Sequence, residues 1–310
     1  MKITKPKFWD KKIGFQSILL FPISLIFIIL SVLKKKISIP QKFKISVICI
    51  GNIYVGGTGK TPTSLIIARE LERKGIKTVI LRKYYKNHFD EYNLIKNHFE
   101  NLILKKNRAI ALREAEKSGF EMAILDDGFQ DYTIKKNLNI ICFNQNQLIG
   151  NGLILPSGPL RESLSALKRA NIVIINGSKD ERFEEKILKI NKKLQIYYSS
   201  YKPVNIDEFR NKKLIAIAGI GNPENFFDLI ERNNCKIEKK LIFPDHHDFS
   251  KKEIENIIDE ALKNDCHIVM TEKDYFKIKH FNLKNINYLK ILIEIKGIEK
   301  LIKNINEIRI

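Results

Sequence analysis

Apolar and polar positions follow two different regimes along this chain. From residue 45 onward, short apolar runs alternate with longer amphipathic ones, and each change of period marks an element. Ile45 to Ile50 reads as a buried strand, followed by a glycine-rich turn and a helix from about Lys60 to Lys74. Lys77 to Leu81 and Leu102 to Leu104 are further strands, with a helix over Arg108 to Lys117. Met122–Leu125, Ile140–Phe143, Ile172–Ile175, Leu214–Ala218 and His267–Met270 continue the strand pattern between helical runs. Such alternation predicts βα units around a mainly parallel sheet. Residues 148–159 (LIGNGLILPSGP) hold three glycines and two prolines, the composition of a structured loop or hinge. The expected division is a segment 1–38, a core 39–170, and a second, smaller α/β domain over 171–310.

The N-terminal pattern is of the other kind. Residues 13–33 carry no charge, and fifteen of the twenty-one are Ile, Leu, Phe or Val. As a helix this run is about 31 Å long at about 1.5 Å per residue, against a hydrocarbon core of about 30 Å. It is too long for the apolar region of a secretory signal, and no small-residue cleavage site follows it. A membrane helix is therefore expected, with a core helix buried on every face as the competing reading. Lysines flank both ends, so charge selects no orientation, and partial insertion from the cytoplasmic face stays open. Pro22 is placed to kink it.

Composition adds less. Lys plus Arg number 55 against 35 Asp plus Glu, a net charge of +20 that favours anionic company: nucleotide phosphates, nucleic acid or acidic lipid. Cys49, Cys142, Cys235 and Cys266 show no CxxC spacing, so reduced, buried thiols are expected and a disulfide framework is not.

The strongest chemical signal is GNIYVGGTGKTP at 51–62, between the first buried strand and a helix. Glycines let successive N–H groups turn inward around an anion, and the helix N-terminus adds positive potential. Gly56, Gly57, Thr58 and Gly59 are the expected phosphate cradle, Lys60 reaches the β/γ-phosphates, and the Thr61 hydroxyl ligates Mg2+. Tyr54 stands where the common pattern has glycine. Next come Asp126 and Asp127, which end an apolar strand in ILDDGFQ and offer carboxylates to Mg2+. Alone, Asp-Asp-Gly is an ordinary turn; downstream of a phosphate loop it reads as a metal-binding strand end. Arg161-Glu162 suits phosphate and metal, or equally an exposed helix start with an acidic first turn. Asp245-His246-His247-Asp248 lacks ligand spacing for zinc, so a general base or its helper fits better. Gly219-Ile220-Gly221 lacks the third glycine of a dinucleotide site, and Thr271-Glu272-Lys273-Asp274 reads as a helix cap.

Together these motifs resemble the tetraacyldisaccharide 4′-kinase family, the lipid A kinases of Gram-negative bacteria. The resemblance rests on GN-x-x-VGGTGKTP (51–62), ILDDGFQ (124–130), GNG-x-x-LP-x-GPLRE (150–162), FPDHH (243–247) and TEKD (271–274), in the family's order. It implies a P-loop NTPase-like core, with ATP and Mg2+ as cofactors. The implied reaction transfers the ATP γ-phosphate to the 4′-hydroxyl of an acylated glucosamine disaccharide 1-phosphate, giving lipid IVA at the cytoplasmic face of the inner membrane. By position, the resemblance makes Lys60 and Thr61 the phosphate-loop pair and Thr61, Asp126, Asp127 and Glu162 the metal set. Arg161 becomes a phosphate ligand, and His246 works with an aspartate base. That base is matched to Asp90 in Phe89-Asp90-Glu91-Tyr92, where the family's flanking Gly and Pro are missing. The family's SRGYG turn is altered to Leu81-Arg82-Lys83-Tyr84-Tyr85.

The implied partners are the lipid substrate and a membrane surface, with no nucleic acid and no obligate protein partner. One rival is a membrane-associated P-loop switch ATPase of the positioning or partition type, whose loop needs a lysine before the Gly-Gly pair where this chain has Val55. A nucleic-acid binder explains the charge but neither the loop nor the apolar segment.

Overall fold

Every residue of Ser46–Gly51 is buried, as a continuous apolar run must be when helices cover both faces of its sheet. This strand lies at the centre of the larger of two units, in a computed structural model that describes residues 6–86, 88–245 and 247–307. The larger unit is built from Lys5–Tyr84, Asn101–Ser200 and Ile293–Ile310, the smaller from Tyr85–Glu100 and Tyr201–Leu292.

In chain order the elements are α1 (Phe15–Ile37), β1 (Ser46–Gly51), α2 (Lys60–Arg73), β2 (Thr78–Lys83), α3 (Phe89–His98), β3 (Leu102–Lys105), α4 (Arg108–Lys117), β4 (Met122–Asp126) and β5 (Leu138–Asn144). There follow β6 (Ile172–Asn176), α5 (Glu181–Leu188), β7 (Gln195–Pro203), β8 (Lys213–Ala218), α6 (Pro223–Arg232) and β9 (Lys236–Ile242). The chain closes with α7 (Lys251–Lys263), β10 (His267–Thr271), α8 (Glu272–Ile278), β11 (Ile286–Leu289), β12 (Ile291–Ile295) and α9 (Ile298–Asn306).

The larger unit carries an eight-stranded sheet in the order β12-β7-β6-β5-β1-β4-β2-β3. From β7 to β3 every pairing is parallel, with Ile50 opposite Asp126 and Arg82 opposite the same aspartate. Because β1 lies between β4 and β5 while the chain leaves it for β2, connections diverge to either side at its C-terminal end. Such a switch point opens a crevice where ligands bind in parallel sheets. The apolar core includes Val47, Cys49, Val79, Leu125 and Phe143. Cys49, Cys142 and Cys235 are buried and Cys266 half-buried, all unbridged. Burial pushes the Cys49 thiol up to about 11 and that of Cys142 to about 12, so both stay protonated as small apolar groups.

The smaller unit holds a four-stranded parallel sheet, β11-β10-β8-β9. Its edge strand β9 reads KIEKKLI and is mostly exposed, so its lysines guard an open edge and no apolar run announces it. Two findings correct the expected division at 171. β6 and β7 extend the first sheet, since Ile140 pairs with Ile172 and Val173 with Ile196, and the first sheet therefore continues to Pro203. Conversely, α3 leaves the larger unit to pack on α8.

Helix α1 exposes most of its apolar side chains, among them Phe15, Ile26, Ile29 and Leu33, and buries only Ser17 and Ser24. Ser24 Oγ donates to the Ile154 carbonyl (2.9 Å), hydrogen-bonds Ser157 Oγ (2.8 Å) and accepts the Ser157 N–H (3.1 Å). Asn151 Nδ2 donates to Ser17 Oγ at 3.1 Å, and the Ser31 hydroxyl bonds Tyr132. Seventeen, 24 and 31 are seven apart, so three serines form one stripe down the helix. The polar stripe faces the loop 148–162, and the apolar faces are left outside. That pattern excludes a core helix buried on every side.

Candidate functional site

Between the end of β1 and the start of α2, the glycine-rich segment takes backbone conformations that need glycine. Gly56 has φ 123°, and Gly59, which precedes α2, has φ 84°. Asn52 braces the turn from inside: its Nδ2 donates to Thr58 Oγ1 (3.0 Å) and to the Gly56 carbonyl (3.3 Å). Gln130 Nε2 in turn holds the Asn52 carbonyl at 2.9 Å. Gly51 is required for a different reason, because a Cβ there would sit 2.5 Å from Phe129 Cβ. Gly51→Ala is expected to cost about 1–3 kcal/mol by overpacking, read as a lower urea midpoint at constant slope.

The acids ending β4 face this loop. Asp126 is fully buried, and its Oδ2 accepts from Thr61 Oγ1 (3.1 Å) while Oδ1 accepts from Ser64 Oγ (3.2 Å). Arg82, at the end of β2, also binds Asp126 Oδ2 and donates to Thr61 Oγ1 at 3.2 Å. Asp127 takes a left-handed φ of 61° and turns to other partners: Arg161 at 2.8 Å and Lys60 at 3.9 Å. Burial would raise its carboxyl, but Lys60, Arg161 and Arg82 outweigh that and hold it below the usual carboxylate range. Arg108 Nη2 fixes the Asp127 carbonyl at 2.6 Å and Nη1 pairs with Asp131 at 3.1 Å.

Residues 159–161 are not the start of a regular helix; only a 3-10 turn follows, at Leu164–Arg169. They pair instead with the segment before the loop glycines. Val55 N–H donates to the Pro159 carbonyl (2.9 Å), Arg161 N–H donates to the Ile53 carbonyl (2.7 Å), and Tyr54 and Leu160 form an antiparallel bridge. This backbone clasp is what carries Arg161 to Asp127. Tyr54 is fully buried and donates its hydroxyl to Asp10 (3.1 Å). Burial and the Asp10 carboxylate together keep that phenol protonated far above its ordinary range.

Glu162 takes up different company from the expected metal set. It is buried, accepts from Tyr132 at 2.7 Å, and pairs with Arg169 at 2.9 Å. The Arg169 guanidinium also lies 4.5 Å from the centre of the Phe129 ring. Among the described residues no three His, Cys, Asp or Glu side chains are grouped to hold a metal ion. Thr61 and Asp126 do bring two hard oxygens together, and Mg2+ needs only one or two protein ligands beside phosphate and water. Those two residues fit the cation; Glu162 is paired with Arg169, as Asp126 is with Arg82. Beside Glu162 a cavity of about 260 Å3 is lined by apolar Phe27, Val32 and Ile154 and by Lys35, Arg161 and Lys168.

The remaining sequence candidates belong to the smaller unit. Asp90 is buried in the first turn of α3, 3.6 Å from Lys273 Nζ and 3.7 Å from Lys277 Nζ. His246 lies outside the described residues. Its neighbour Asp245 meets Lys273 at 3.0 Å, while His247 pairs with Glu253 at 3.0 Å between the rings of Phe243 and Phe249, a structural role. Gly219 gives its N–H to Asp274 at 2.7 Å, and a Cβ there would sit 3.0 Å from Asp274 Oδ1, which accounts for a glycine without a nucleotide. Sequence reasoning missed Arg82, Tyr132 and Arg169 as site residues. Arg82 had a readable signal: a charge at the end of an apolar strand, on the sheet edge where the phosphate loop sits.

A family model described as tetraacyldisaccharide-1-P 4′-kinase matches residues 16–308. The tetraacyldisaccharide 4′-kinase of Pelagibacter ubique is 43% identical over 302 residues, 95% of each chain. That of Rickettsia bellii is 33% identical over 297 residues, 90% of each. A solved structure of LpxK from Aquifex aeolicus, in complex with ATP, superposes with a TM-score of 0.72 at 22% identity, covering 95% of this chain and 99% of that one. This last likeness concerns the fold.

Proposed function

The chain belongs to the tetraacyldisaccharide-1-P 4′-kinase family, and we propose that Lys60, Thr61, Asp126, Asp127 and Arg161 carry its transfer of the ATP γ-phosphate to the 4′-hydroxyl of a tetraacyldisaccharide 1-phosphate. The product is lipid IVA. The observation that carries the residue assignment is the convergence of Lys60 and Arg161 on Asp127 beside the Thr61–Asp126 pair, at the head of α2. Phosphoryl transfer asks little covalent chemistry of a protein; it asks for positioning and for positive charge around the phosphates. The glycine turn offers N–H donors, α2 its positive end, and Lys60 and Arg161 two cations. Mg2+, held by Thr61 and Asp126, would neutralise charge on the phosphate oxygens. Asp90, assisted by His246, accepts the proton of the sugar hydroxyl as it attacks, a contribution of about 10²–10⁴-fold.

An acylated, anionic substrate suits the cavity between α1 and Glu162, whose lining pairs apolar side chains with Lys35, Arg161 and Lys168. The serine stripe supports a helix that rests on the protein along one side and on lipid along the other, at the cytoplasmic face of the inner membrane. Lys34, Lys35 and Lys36 in its last turn would then meet anionic headgroups. Incubation with γ-labelled ATP and an acylated glucosamine disaccharide 1-phosphate is expected to label the lipid at its 4′ position. Nucleotide hydrolysis without lipid labelling would turn the reading toward a switch ATPase.

A further inference from the structure

Thr271-Glu272-Lys273-Asp274 has the look of a helix cap, and three of its four residues are spent on structure. Thr271 caps α8 by accepting the Asp274 N–H at 3.1 Å, and its hydroxyl donates to Asp274 Oδ2 at 2.7 Å. Asp274, fully buried, also holds Gly219 N–H and Lys277. Glu272 reaches across to His98 on α3 at 2.9 Å. Lys273 makes none of these internal contacts. Its ammonium lies 3.0 Å from Asp245, 3.5 Å from Glu91 and 3.6 Å from Asp90, three carboxylates from two other segments.

We propose that Lys273 is a positioning residue for phosphoryl transfer, holding Asp90 as an ionised carboxylate and tying α3 to the Asp245 segment. This rests on the reading of Asp90 as the base. A base must be charged to accept a proton, yet Asp90 is buried and has Glu91 and Asp245 nearby, both of which oppose its ionisation. Lys273 is the cation these three acids share, and its side chain is only 15% exposed, so the attraction is weakly screened. Burial alone would favour its neutral amine, but Glu91, Asp245 and Asp90 outweigh that and keep it charged. Lys277 is a second cation near Asp90, at 3.7 Å, but it is bonded to Asp274 at 2.7 Å and covers the Phe249 ring. Among the described residues, the titratable and charged groups around Asp90 and its partners are Glu91 from α3 and, on Glu91, His88 just before that helix, Lys273, Lys277 and Asp274 from α8, and Asp245 from the loop after β9.

The sign follows. Removing the shared cation raises the pH at which Asp90 becomes a carboxylate; removing a like charge lowers it. The test is the pH profile of kcat for labelling of the acylated disaccharide 1-phosphate by the full-length protein in detergent micelles. In Lys273→Met the acid limb is expected to move up by about one pH unit, with KM for ATP unchanged, and Lys273→Arg is expected to restore it. Glu91→Gln, which keeps Lys273, should move the same limb down. A limb that stays in place in both Lys273→Met and Glu91→Gln, or a loss uniform across pH that Arg fails to rescue, overturns the proposal. Should Lys273→Met not fold, Lys273→Gln is measured in its place, and an acid limb that stays put in it overturns the proposal. The base reading has its own control: Asp90→Ala should lower kcat about 10²-fold or more, and near-normal kcat with an intact acid limb would remove Asp90 whatever Lys273 does.

Discussion

Lys60→Ala is expected to lower phosphoryl transfer to the lipid by about 10²–10³-fold or more, the scale of removing one preorganised charge from a transition state, while the protein unfolds at an unchanged temperature. Both halves of this expectation come from local geometry. Lys60 is the first residue of α2, a position that alanine fills without loss of helix propensity. Among the described residues its one ion pair is the 3.9 Å contact with Asp127, and that carboxylate keeps Arg161 at 2.8 Å when the lysine is gone. No buried charge is orphaned, which is what makes single ion-pair deletions costly. The lost ammonium is, however, the flexible cation at the helix head, where the β/γ-phosphates would lie. Labelled-ATP transfer beside a thermal melt separates the two quantities. A folded variant with near-normal turnover would take the loop out of the mechanism.

The phosphate-loop region was readable because its constraints are local. A buried strand, glycines with positive φ and a helix start are each imposed by neighbours in sequence, and β1, the turn and α2 appear within a residue or two of expectation. The division at 171 failed because nothing in VIIN or IYYS says which sheet a strand will join; pairing is decided across the fold, by β5 offering its free edge to β6. Strand β9 was hidden by its lysines, which an edge strand carries and a buried one does not. Glu162 shows the limit for sites. Its place in the GPLRE motif is visible, but its partners Tyr132 and Arg169 come from two other segments, and their identity depends on the clasp between 53–55 and 159–161. Lys273 is similar: its spacing in the cap is plain, whereas the acids it faces arrive from α3 and the loop after β9.

Deleting residues 1–36 is expected to do two things at once: release the protein from anionic-lipid vesicles, and lower lipid phosphorylation even in detergent micelles, where membrane residence no longer matters. The sequence alone suggests only the first, since every nucleotide motif lies downstream. The second follows from what the segment touches. Trp9 Nε1 donates to the Pro156 carbonyl at 3.0 Å, Trp9 accepts the Asn151 N–H at 2.8 Å, and Asp10 holds the Tyr54 hydroxyl. Ser17 and Ser24 fasten 151–157 from the other side. These contacts end on the loop whose continuation, 159–161, forms the clasp that brings Arg161 to Asp127. Water replaces the lost hydrogen bonds, so the fold should survive; what is lost is the ordering of the loop, and with it the position of Arg161. ATP affinity should fall less than lipid turnover, because Lys60, Thr61 and the glycine turn are anchored by β1, α2 and Asn52 instead. Ser24→Val separates the two effects. It keeps the apolar exterior of α1 yet leaves the buried Ser157 N–H without its partner, at about 1–3 kcal/mol, while the Ile154 carbonyl keeps the Gly158 N–H at 3.1 Å. That variant should stay with the vesicles and still lose turnover. Full transfer by the truncated protein in micelles would show that α1 serves residence alone, and sedimentation of the truncated protein with vesicles would place the lipid-binding surface elsewhere.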